Sequence, residues 1–315
     1  MDERDDSGGS LSAQELEAVR VRARLIMEEE GLTLTSVSRQ SAISVSVLSP
    51  FMDGKYKGDN QRVARQLLKW ADGRAALAAL EPVRRKLSQY VETTTARRIS
   101  ATLTFARGRD MAMIAGSPGI GKTTAARQFQ AVNTNVWLAT MTAATKSVPA
   151  VMNVVAAAIG IHDIPRNAHG AFKLICRRLD RTDGLLIIDE GQHLTELGFE
   201  QIRAIHDEIG VGVAFLGHLN LEAKIARLEH LSSRVSAFLV IDKSCAEDVD
   251  SLLDVAGIEC PRSRTFLRGK AKVKGLRRIV SACRDALYLA AAEGAPAVTI
   301  RHVTRAWAEL GNPSE

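Results

Sequence analysis

The chain lacks any run of about 18 or more uncharged apolar residues, the length that a membrane-spanning helix needs. Its first ten residues, MDERDDSGGS, are acidic where a secretory signal is basic and then apolar. Its four cysteines show no metal-ligand spacing, which indicates reduced thiols. We therefore expect a cytoplasmic protein without a membrane partner.

Acidic residues are absent from residues 260–284, CPRSRTFLRGKAKVKGLRRIVSACR, which contain nine lysines and arginines. The chain has a net charge of +6, but residues 1–30 contain nine acids and four arginines, so the remainder carries +11. A solvated helix face normally mixes both signs. A basic stretch of this length therefore favours a polyanion such as nucleic acid as its partner, and a merely solvated basic face is the alternative.

The N-terminal part predicts an acidic, disordered tail over residues 1–15 and short helices over residues 16–72. Two of these helices flank a turn near Ala42, and another follows a glycine-containing loop, which is the layout of a helix-turn-helix domain. The helix after Ser44 could then enter a major groove, although Pro50 should kink or end it after about one turn. A small helical docking domain is the alternative.

Residues 73–89 predict a linker or an extended helix. Over residues 90–242, apolar strands without polar alternation are each followed by a helix, which predicts a parallel sheet covered on both faces. The expected strands are DMAMIAG, NVWLATM, GLLIIDE and GVAFLG. The predicted fold class is an α/β domain with a parallel sheet, flanked by the N-terminal all-α domain and by an all-α domain over residues 243–315.

The stretch GSPGIGKT, residues 116–123, matches the phosphate-binding pattern G-x-x-x-x-G-K-[ST] completely and lies between an apolar strand and a helix. Backbone N–H groups of such a loop bind phosphate oxygens, while Lys122 supplies a charge for the β- and γ-phosphates and Thr123 a hydroxyl for Mg²⁺. The sequence predicts ATP or GTP binding through the loop residues Gly116, Ser117, Pro118, Gly119, Ile120, Gly121, Lys122, Thr123 and Thr124.

Two adjacent acids end the apolar run LLIIDE, residues 185–190. The strand would deliver Asp189 toward Mg²⁺ and place Glu190 to polarise a water against the γ-phosphate. The alternative is that both acids merely begin a loop. The pair favours ATP hydrolysis over phosphoryl transfer to a small acceptor, because small-molecule kinases usually lack it.

These motifs resemble those of the AAA+ ATPases, and their order resembles the MuB-like target-DNA activators, the transposition protein B family of phage Mu. The pieces that carry the resemblance are DGKYKGDNQRV, YVETTTARRI, GSPGIGKTTAAR, NTNVWLATMT, GLLIIDEGQHL and KGLRRIV. The resemblance implies an ATPase that assembles on DNA as a homo-oligomer, a helical filament or a ring, with little sequence preference. It also implies delivery of that DNA to a DDE-type transposase, with hydrolysis as a switch on DNA occupancy.

The resemblance further implies roles for single residues. Arg277 falls where the family has its sensor-2 arginine, and Arg234 is the candidate arginine finger for a neighbouring subunit, with Arg227 as its competitor. His218 stands where AAA+ proteins commonly have a polar sensor-1 residue, often Asn. It can still donate a hydrogen bond to the γ-phosphate or to the attacking water.

Aromatic residues are scarce, at 4%, so contact with duplex phosphates is a better fit than stacking on single-stranded bases. Such contact predicts binding that is non-specific and strongly dependent on salt. The candidate DNA contacts are the basic residues Lys146, Lys173, Arg177, Arg178, Arg181, Lys270, Lys272 and Lys274.

The leading hypothesis is an ATP-dependent DNA-binding activator of a transposase. A helicase loader, a clamp loader or another AAA+ remodeller acting on a protein would share the ATP site but would need no filament on duplex DNA. A sequence-specific transcriptional regulator with an ATPase switch is a third hypothesis. Against it stand Pro50 and the concentration of basic charge at the C-terminal end.

Overall fold

The computed structural model describes residues 10–165 and 167–311, and of residues 75–88 and 272–274 it describes the backbone alone. The chain divides into two compact units, one ending at Arg84 and the other beginning at Arg85. Residues 1–9 of the predicted acidic tail lie outside the described residues, and the domain boundaries drawn from the sequence stay predictions. Within the described chain, no helix combines the length and the apolar character needed to cross a lipid bilayer. All four cysteines are free.

The first unit is helical. Its elements are α1 (Ala13–Glu29), α2 (Leu34–Ser41), α3 (Val45–Met52) and the part of α4 (Asn60–Ser88) up to Arg84. The expected turn lies between α2 and α3, where Ala42 has a φ of 55° and Ser44 is the N-cap residue. The backbone of residues 73–88 continues α4, in line with the extended-helix alternative.

Pro50 was expected to kink α3 or to end it after about one turn, and the second of these effects does not occur. The helix runs for eight residues, with Pro50 in its sixth position, and ends at Met52. Proline lacks only its own N–H donor, and the later residues keep theirs. The N–H of Asp53 donates to the carbonyl of Ser49 at 3.1 Å, and that of Lys55 to the carbonyl of Pro50 at 2.8 Å.

The second unit is built on a five-stranded parallel sheet in the order β2-β3-β4-β1-β5. The strands are β1 (Met111–Gly116), β2 (Val136–Thr140), β3 (Leu185–Asp189), β4 (Gly212–Gly217) and β5 (Val235–Ile241). Every residue of β1, β3 and β4 is buried, which is why these strands read as unbroken apolar runs. Because the strands are parallel, their carboxyl ends meet at one edge of the sheet.

The sequence analysis missed β5, although its run AFLVI carried a signal. The strand pairs with β1 at the end of the sheet. Leu239 and Ile241 are buried on one face, while Phe238 and Val240 are exposed on the other. β5 is therefore an edge strand with one covered face.

Helices cover both faces of the sheet and continue beyond it. They are α5 (Thr94–Arg107), α6 (Lys122–Val132), α7 (Val148–Ala158), α8 (Ala168–Leu179), α9 (Glu196–Ile209), α10 (Asn220–Ala226), α11 (Glu229–Ser232), α12 (Ala246–Ala256), α13 (Pro261–Ala292) and α14 (Ile300–Glu309). α5 and α6 pack on one face, and α7 packs on the other with α8 and α9 against it. α12, α13 and α14 form a separate apolar core. The predicted α/β fold class with flanking helical segments is confirmed.

A buried carboxylate joins the C-terminal helices to the sheet layer. Asp248 of α12 is fully buried and accepts from the N–H of Thr95 at 3.0 Å and from the Thr95 hydroxyl at 2.5 Å. Thr95 lies in the first turn of α5, where backbone N–H groups lack partners within the helix and the helix dipole favours a negative charge. The contact fixes α12 against the start of α5.

Candidate nucleotide-binding site

The phosphate-binding loop connects β1 to α6. Gly119 and Gly121 have φ values of 79° and 98°, which a residue with a Cβ rarely adopts. Gly121 is the N-cap residue of α6, and no side chain caps this helix. The N–H groups of its first turn are therefore left for an anion, where the helix dipole also favours negative charge.

Lys122 begins α6 with its ammonium directed at the loop. Nζ donates to the carbonyl of Gly116 at 2.7 Å and to that of Ser117 at 3.1 Å. Burial lowers the pKa of Lys122, while the negative charges of Glu190 and Asp189 act in the opposite direction. A half-buried cation near a bare helix terminus suits a polyphosphate.

Thr123 and Asp189 lie 66 residues apart in the chain and meet at the carboxyl edge of the sheet. The Thr123 hydroxyl donates to Oδ2 of Asp189 at 2.8 Å, and the N–H of Glu190 donates to Oδ1 at 3.0 Å. Asp189 is 1% exposed, and this burial raises its pKa against the opposing effect of the two hydrogen bonds. The described residues hold no cluster of three or more His, Cys, Asp or Glu side chains suited to a metal. A hydroxyl beside a buried carboxylate nevertheless fits Mg²⁺, which usually takes one or two protein oxygens and completes its shell with phosphates and water.

Glu190 has a strained backbone. Its φ of 55° and ψ of 36° place it in the left-handed region, which is uncommon for a residue other than glycine. Here β3 ends and a 3₁₀ turn, Gly191–His193, begins. Strain of this kind concentrates at functional sites, which is consistent with a role for the Glu190 carboxylate.

Gln192, which the sequence analysis missed, connects Glu190 to the end of β4. Its amide nitrogen donates to Oε2 of Glu190, and its amide oxygen accepts the backbone N–H of His218 at 3.0 Å. Lys224 of α10 donates to the Gln192 carbonyl at 2.6 Å. The available signal was its position two residues after the acidic pair, in DEGQHL.

A cavity of about 770 Å³ brings these groups together, a volume within the usual range of small-molecule sites. Its lining combines Glu190, Gln192 and His218 with the apolar side chains of Val91 and Leu252. The predicted nucleotide-binding residues that line it are Pro118, Gly119, Ile120, Gly121, Lys122, Thr123, Thr124 and Arg277. Two others are not among its lining residues: Gly116, which ends β1, and Ser117, whose hydroxyl donates to Asp242 at 3.3 Å.

Arg277 lies where the C-terminal helices touch the loop. Its backbone N–H donates to the carbonyl of Gly119 at 3.1 Å, and a Cβ on Gly119 would lie 3.0 Å from the Arg277 Cβ. Gly275, with a φ of 72°, interrupts α13 at this point, and a Cβ there would lie 3.1 Å from the carbonyl oxygen of Pro118. Two glycines thus permit the close approach of α13 to the loop.

The candidate finger Arg234 lies far from the cavity of its own chain. It immediately precedes β5, whose first residue pairs with Met111 at the start of β1, whereas the loop follows the end of β1. A six-residue strand spans about 20 Å, more than an arginine side chain can reach. The Arg234 Nε donates to Asp207 at 3.1 Å. Its competitor Arg227 is exposed at the C-cap of α10 and forms no ion pair within the described part of the chain.

The predicted DNA contacts of α8 are exposed. Lys173 and Arg177 lie four residues apart on one face of the helix, and neither forms an ion pair within the described ranges. Arg181 is 91% exposed and lies 3.6 Å from Asp180. The remaining predicted contacts of this domain, Lys146 and Arg178, are also exposed.

The basic stretch 260–284 carries less unpaired charge than the sequence suggested. Arg264 and Arg268 form ion pairs with Asp250 of α12 at 3.0 and 2.7 Å, so an acid from another element neutralises part of the stretch. The ammonium of Lys270, an exposed residue, lies 5.4 Å from the centre of the Phe266 ring. The side chains of two further predicted contacts lie outside the described part of the structure: Lys272 and Lys274.

The parallel sheet, the phosphate-binding loop and the acidic pair at the end of β3 define the AAA+ class of P-loop proteins. Residues 106–225 match the family described as AAA domain. Among solved structures, the ORC2 protein of Aeropyrum pernix is similar, with a TM-score of 0.56, 18% identity, and coverage of 74% of this chain and 72% of that chain. Cdc6p from Pyrobaculum aerophilum gives a TM-score of 0.56 and 15% identity, over 70% of this chain and 69% of that chain. These likenesses show the fold.

Sequence relatives narrow the class to one family. The ATP-dependent target DNA activator B of Escherichia phage Mu is 31% identical over 271 residues, which is 84% of this chain and 85% of that protein. The Mu-like prophage FluMu DNA transposition protein B of Haemophilus influenzae is 29% identical over 74% of this chain and 83% of that protein. The chain belongs to the family of the ATP-dependent target DNA activator B proteins, as its motifs indicated.

Proposed function

We propose that this protein binds and hydrolyses ATP with Mg²⁺, binds duplex DNA with little sequence preference, and activates a DDE-type transposase on that DNA. One observation carries the proposal. Lys122, Thr123 and Glu190 line a single cavity, and Asp189 accepts the Thr123 hydroxyl, in a chain that belongs to the target DNA activator family.

The loop and the first turn of α6 would hold the phosphates of ATP, with Lys122 neutralising the β- and γ-phosphates. Thr123 and Asp189 would hold Mg²⁺, which when bound neutralises charge that develops on the phosphates. Apolar side chains in the cavity lining, Val91 and Leu252, offer a surface for the base. Arg277, next to Gly119, would add positive charge from the C-terminal helices.

Glu190 would orient the attacking water and accept its proton, and His218 would donate a hydrogen bond to the water or to the γ-phosphate. Arg234 of a neighbouring copy would stabilise the charge of the transferring phosphoryl group, with Arg227 as the alternative. Hydrolysis would then depend on assembly, because Arg234 lies near the amino ends of β1 and β5, whereas the loop of its own chain follows the carboxyl end of β1.

Duplex DNA would contact basic residues of the second unit. Those that carry the proposal are Lys146, Lys173, Arg177, Arg178, Arg181, Lys270, Lys272 and Lys274. Contacts of this kind read the phosphate backbone and not the bases, so binding would be non-specific and would weaken with salt. The names of the relatives, target DNA activator and DNA transposition protein, support a role in transposition for this chain.

ATP hydrolysis would serve as a switch. The ATP-bound protein would assemble on DNA as a homo-oligomer, a helical filament or a ring, and hydrolysis stimulated by the transposase would release the DNA. The helix-turn-helix-like helices α2 and α3 would contact either DNA or the transposase.

The test is duplex binding by the purified protein with no nucleotide, ADP, ATP or a non-hydrolysable ATP analogue, at two salt concentrations. Electron microscopy of the same samples would report assembly, and duplexes of unrelated sequence would report specificity. We expect ATP-dependent, sequence-independent binding with ordered oligomers. Absence of duplex binding in every nucleotide state would overturn the proposal in favour of a helicase loader or another protein remodeller. A strong preference for one duplex would instead indicate a sequence-specific regulator.

A further inference from the structure

Gln192 is the one side chain in the described cavity lining that hydrogen-bonds both to the Glu190 carboxylate and to the backbone of His218, the residue that follows β4. Its amide nitrogen donates to Oε2 of Glu190, and its amide oxygen accepts the N–H of His218 at 3.0 Å. A side-chain amide carries an N–H donor and a carbonyl acceptor in one rigid plane. Gln192 can therefore donate to Glu190 and accept from His218 at the same time.

The surroundings fix Gln192 in this position. Lys224 of α10 donates to the Gln192 carbonyl at 2.6 Å and to the Leu194 carbonyl at 3.2 Å, which anchors the 3₁₀ turn. A Cβ on Gly217, the last residue of β4, would lie 2.5 Å from the Gln192 amide oxygen. The glycine therefore leaves the space that the amide occupies.

We propose that Gln192 is a positioning residue for ATP hydrolysis: its amide holds one oxygen of the Glu190 carboxylate and couples that carboxylate to the end of β4. The other oxygen, Oε1, is left for the attacking water. A carboxylate held by one donor presents its second oxygen in a defined direction, which is what proton transfer from a positioned water requires. The inference rests on the proposed hydrolysis of ATP and assigns Gln192 no contact with the nucleotide.

Gln192→Glu tests the donor alone. The new side chain can still accept the His218 N–H, but it replaces the amide that faces Glu190 with a second carboxyl group. A carboxylate at this position offers no N–H to Oε2 of Glu190 and repels it, so the Glu190 carboxylate loses its fixed direction. At neutral pH we expect kcat to fall by about tenfold or more, with little change in KM.

Gln192→Ala removes both contacts and should also lower kcat without raising KM. Gly217→Ala is an independent variant, because its methyl group would displace the amide while Gln192 itself is retained. Gln201→Glu is the matched control: it makes the same charge change on α9, at a half-buried residue that does not belong to the cavity lining. It should leave kcat and KM unchanged.

The measurements are steady-state ATPase kinetics at neutral pH, binding of a fluorescent ATP analogue, and thermal unfolding. Wild-type kcat for both Gln192 variants would overturn the inference, and so would a raised KM at unchanged kcat, which would assign Gln192 to nucleotide binding. A kcat that falls only in proportion to the loss of folded protein, with a lowered unfolding midpoint, would reduce Gln192 to a structural residue. If the wild-type protein itself hydrolyses no ATP, with or without duplex DNA, the proposed function fails first and the inference fails with it.

Discussion

At the scale of single residues, Asp189 combines a negative charge with almost complete burial, and burial raises its pKa. The folded protein therefore binds this proton more tightly than the unfolded chain does. The resulting loss of stability is present in full when the pH is above the raised pKa of folded Asp189. It disappears as the pH falls from that pKa to the lower pKa of the unfolded chain. In protein without nucleotide or Mg²⁺, the carboxylate thus lowers stability at neutral pH.

Asp189→Asn should raise the free energy of unfolding of the nucleotide-free protein at pH 8 by about 1 kcal/mol, because it removes a buried charge and keeps hydrogen-bonding atoms for Thr123 and Glu190. The gain should shrink toward zero as pH approaches 4. Thermal unfolding in EDTA at several pH values measures it, and a gain that is independent of pH would contradict the argument. The same variant should lose Mg²⁺-dependent ATP hydrolysis.

At the scale of elements, the contact between α12 and α5 depends on one carboxylate and one threonine. Asp248→Ala would leave the Thr95 N–H and hydroxyl buried without their acceptor, at a cost of about 2 to 3 kcal/mol. Thermal or urea unfolding measures the loss. Asp254→Ala on the same helix is the control, because its ion pair with Arg264 is exposed and should contribute less than about 1 kcal/mol. Equal losses in the free energy of unfolding for the two variants would show that burial of the Asp248 contact adds nothing to stability.

The exposed face of α8 leads to a second prediction at this scale. Replacing Lys173 and Arg177 together by Ala should weaken duplex binding equally for unrelated sequences and should reduce the salt slope by about 1.8, since each phosphate contact contributes about 0.9. Binding titrations at four or more salt concentrations give the slope. Arg109→Ala removes an exposed arginine that is paired with Asp183, and it serves as the control. An unchanged slope in the double variant would remove α8 from the DNA surface.

At the scale of the whole molecule, the separation of Arg234 from its own phosphate-binding loop makes assembly testable. Glu190→Gln and Arg234→Ala should each abolish hydrolysis alone, whereas a mixture should recover it at roughly a quarter of the interfaces, where an intact Glu190 meets an intact Arg234. ATPase assays on pre-mixed subunits measure the recovery. If Arg234→Ala alone stays active while Arg227→Ala alone is inactive and recovers on mixing with Glu190→Gln, the finger is Arg227. No recovery of two inactive variants on mixing would contradict action between subunits.

The contiguous motifs were readable from the sequence because their function depends on neighbours along the chain. The glycines of GSPGIGKT permit the positive φ values at Gly119 and Gly121, and the buried strands β1, β3 and β4 appear as unbroken apolar runs. The edge strand β5 was missed, and α3 does not end after about one turn, which was one of the two effects expected of Pro50. In both places the outcome depended on packing and hydrogen bonding around the segment and not on its composition.

By itself, the sequence determined that a phosphate-binding loop follows a buried strand and that two adjacent acids lie at the end of another strand. It also determined that the chain resembles the target DNA activators. Only the tertiary structure decided which distant groups meet: Thr123 with Asp189, Gln192 with Glu190 and the end of β4, and Arg277 with Gly119. It also paired Arg264 and Arg268 with Asp250, which the count of charges along the chain could not foresee. The physical reason is that local periodicity fixes the faces of strands and helices, whereas contacts between distant residues depend on strand order and on the packing of elements against one another.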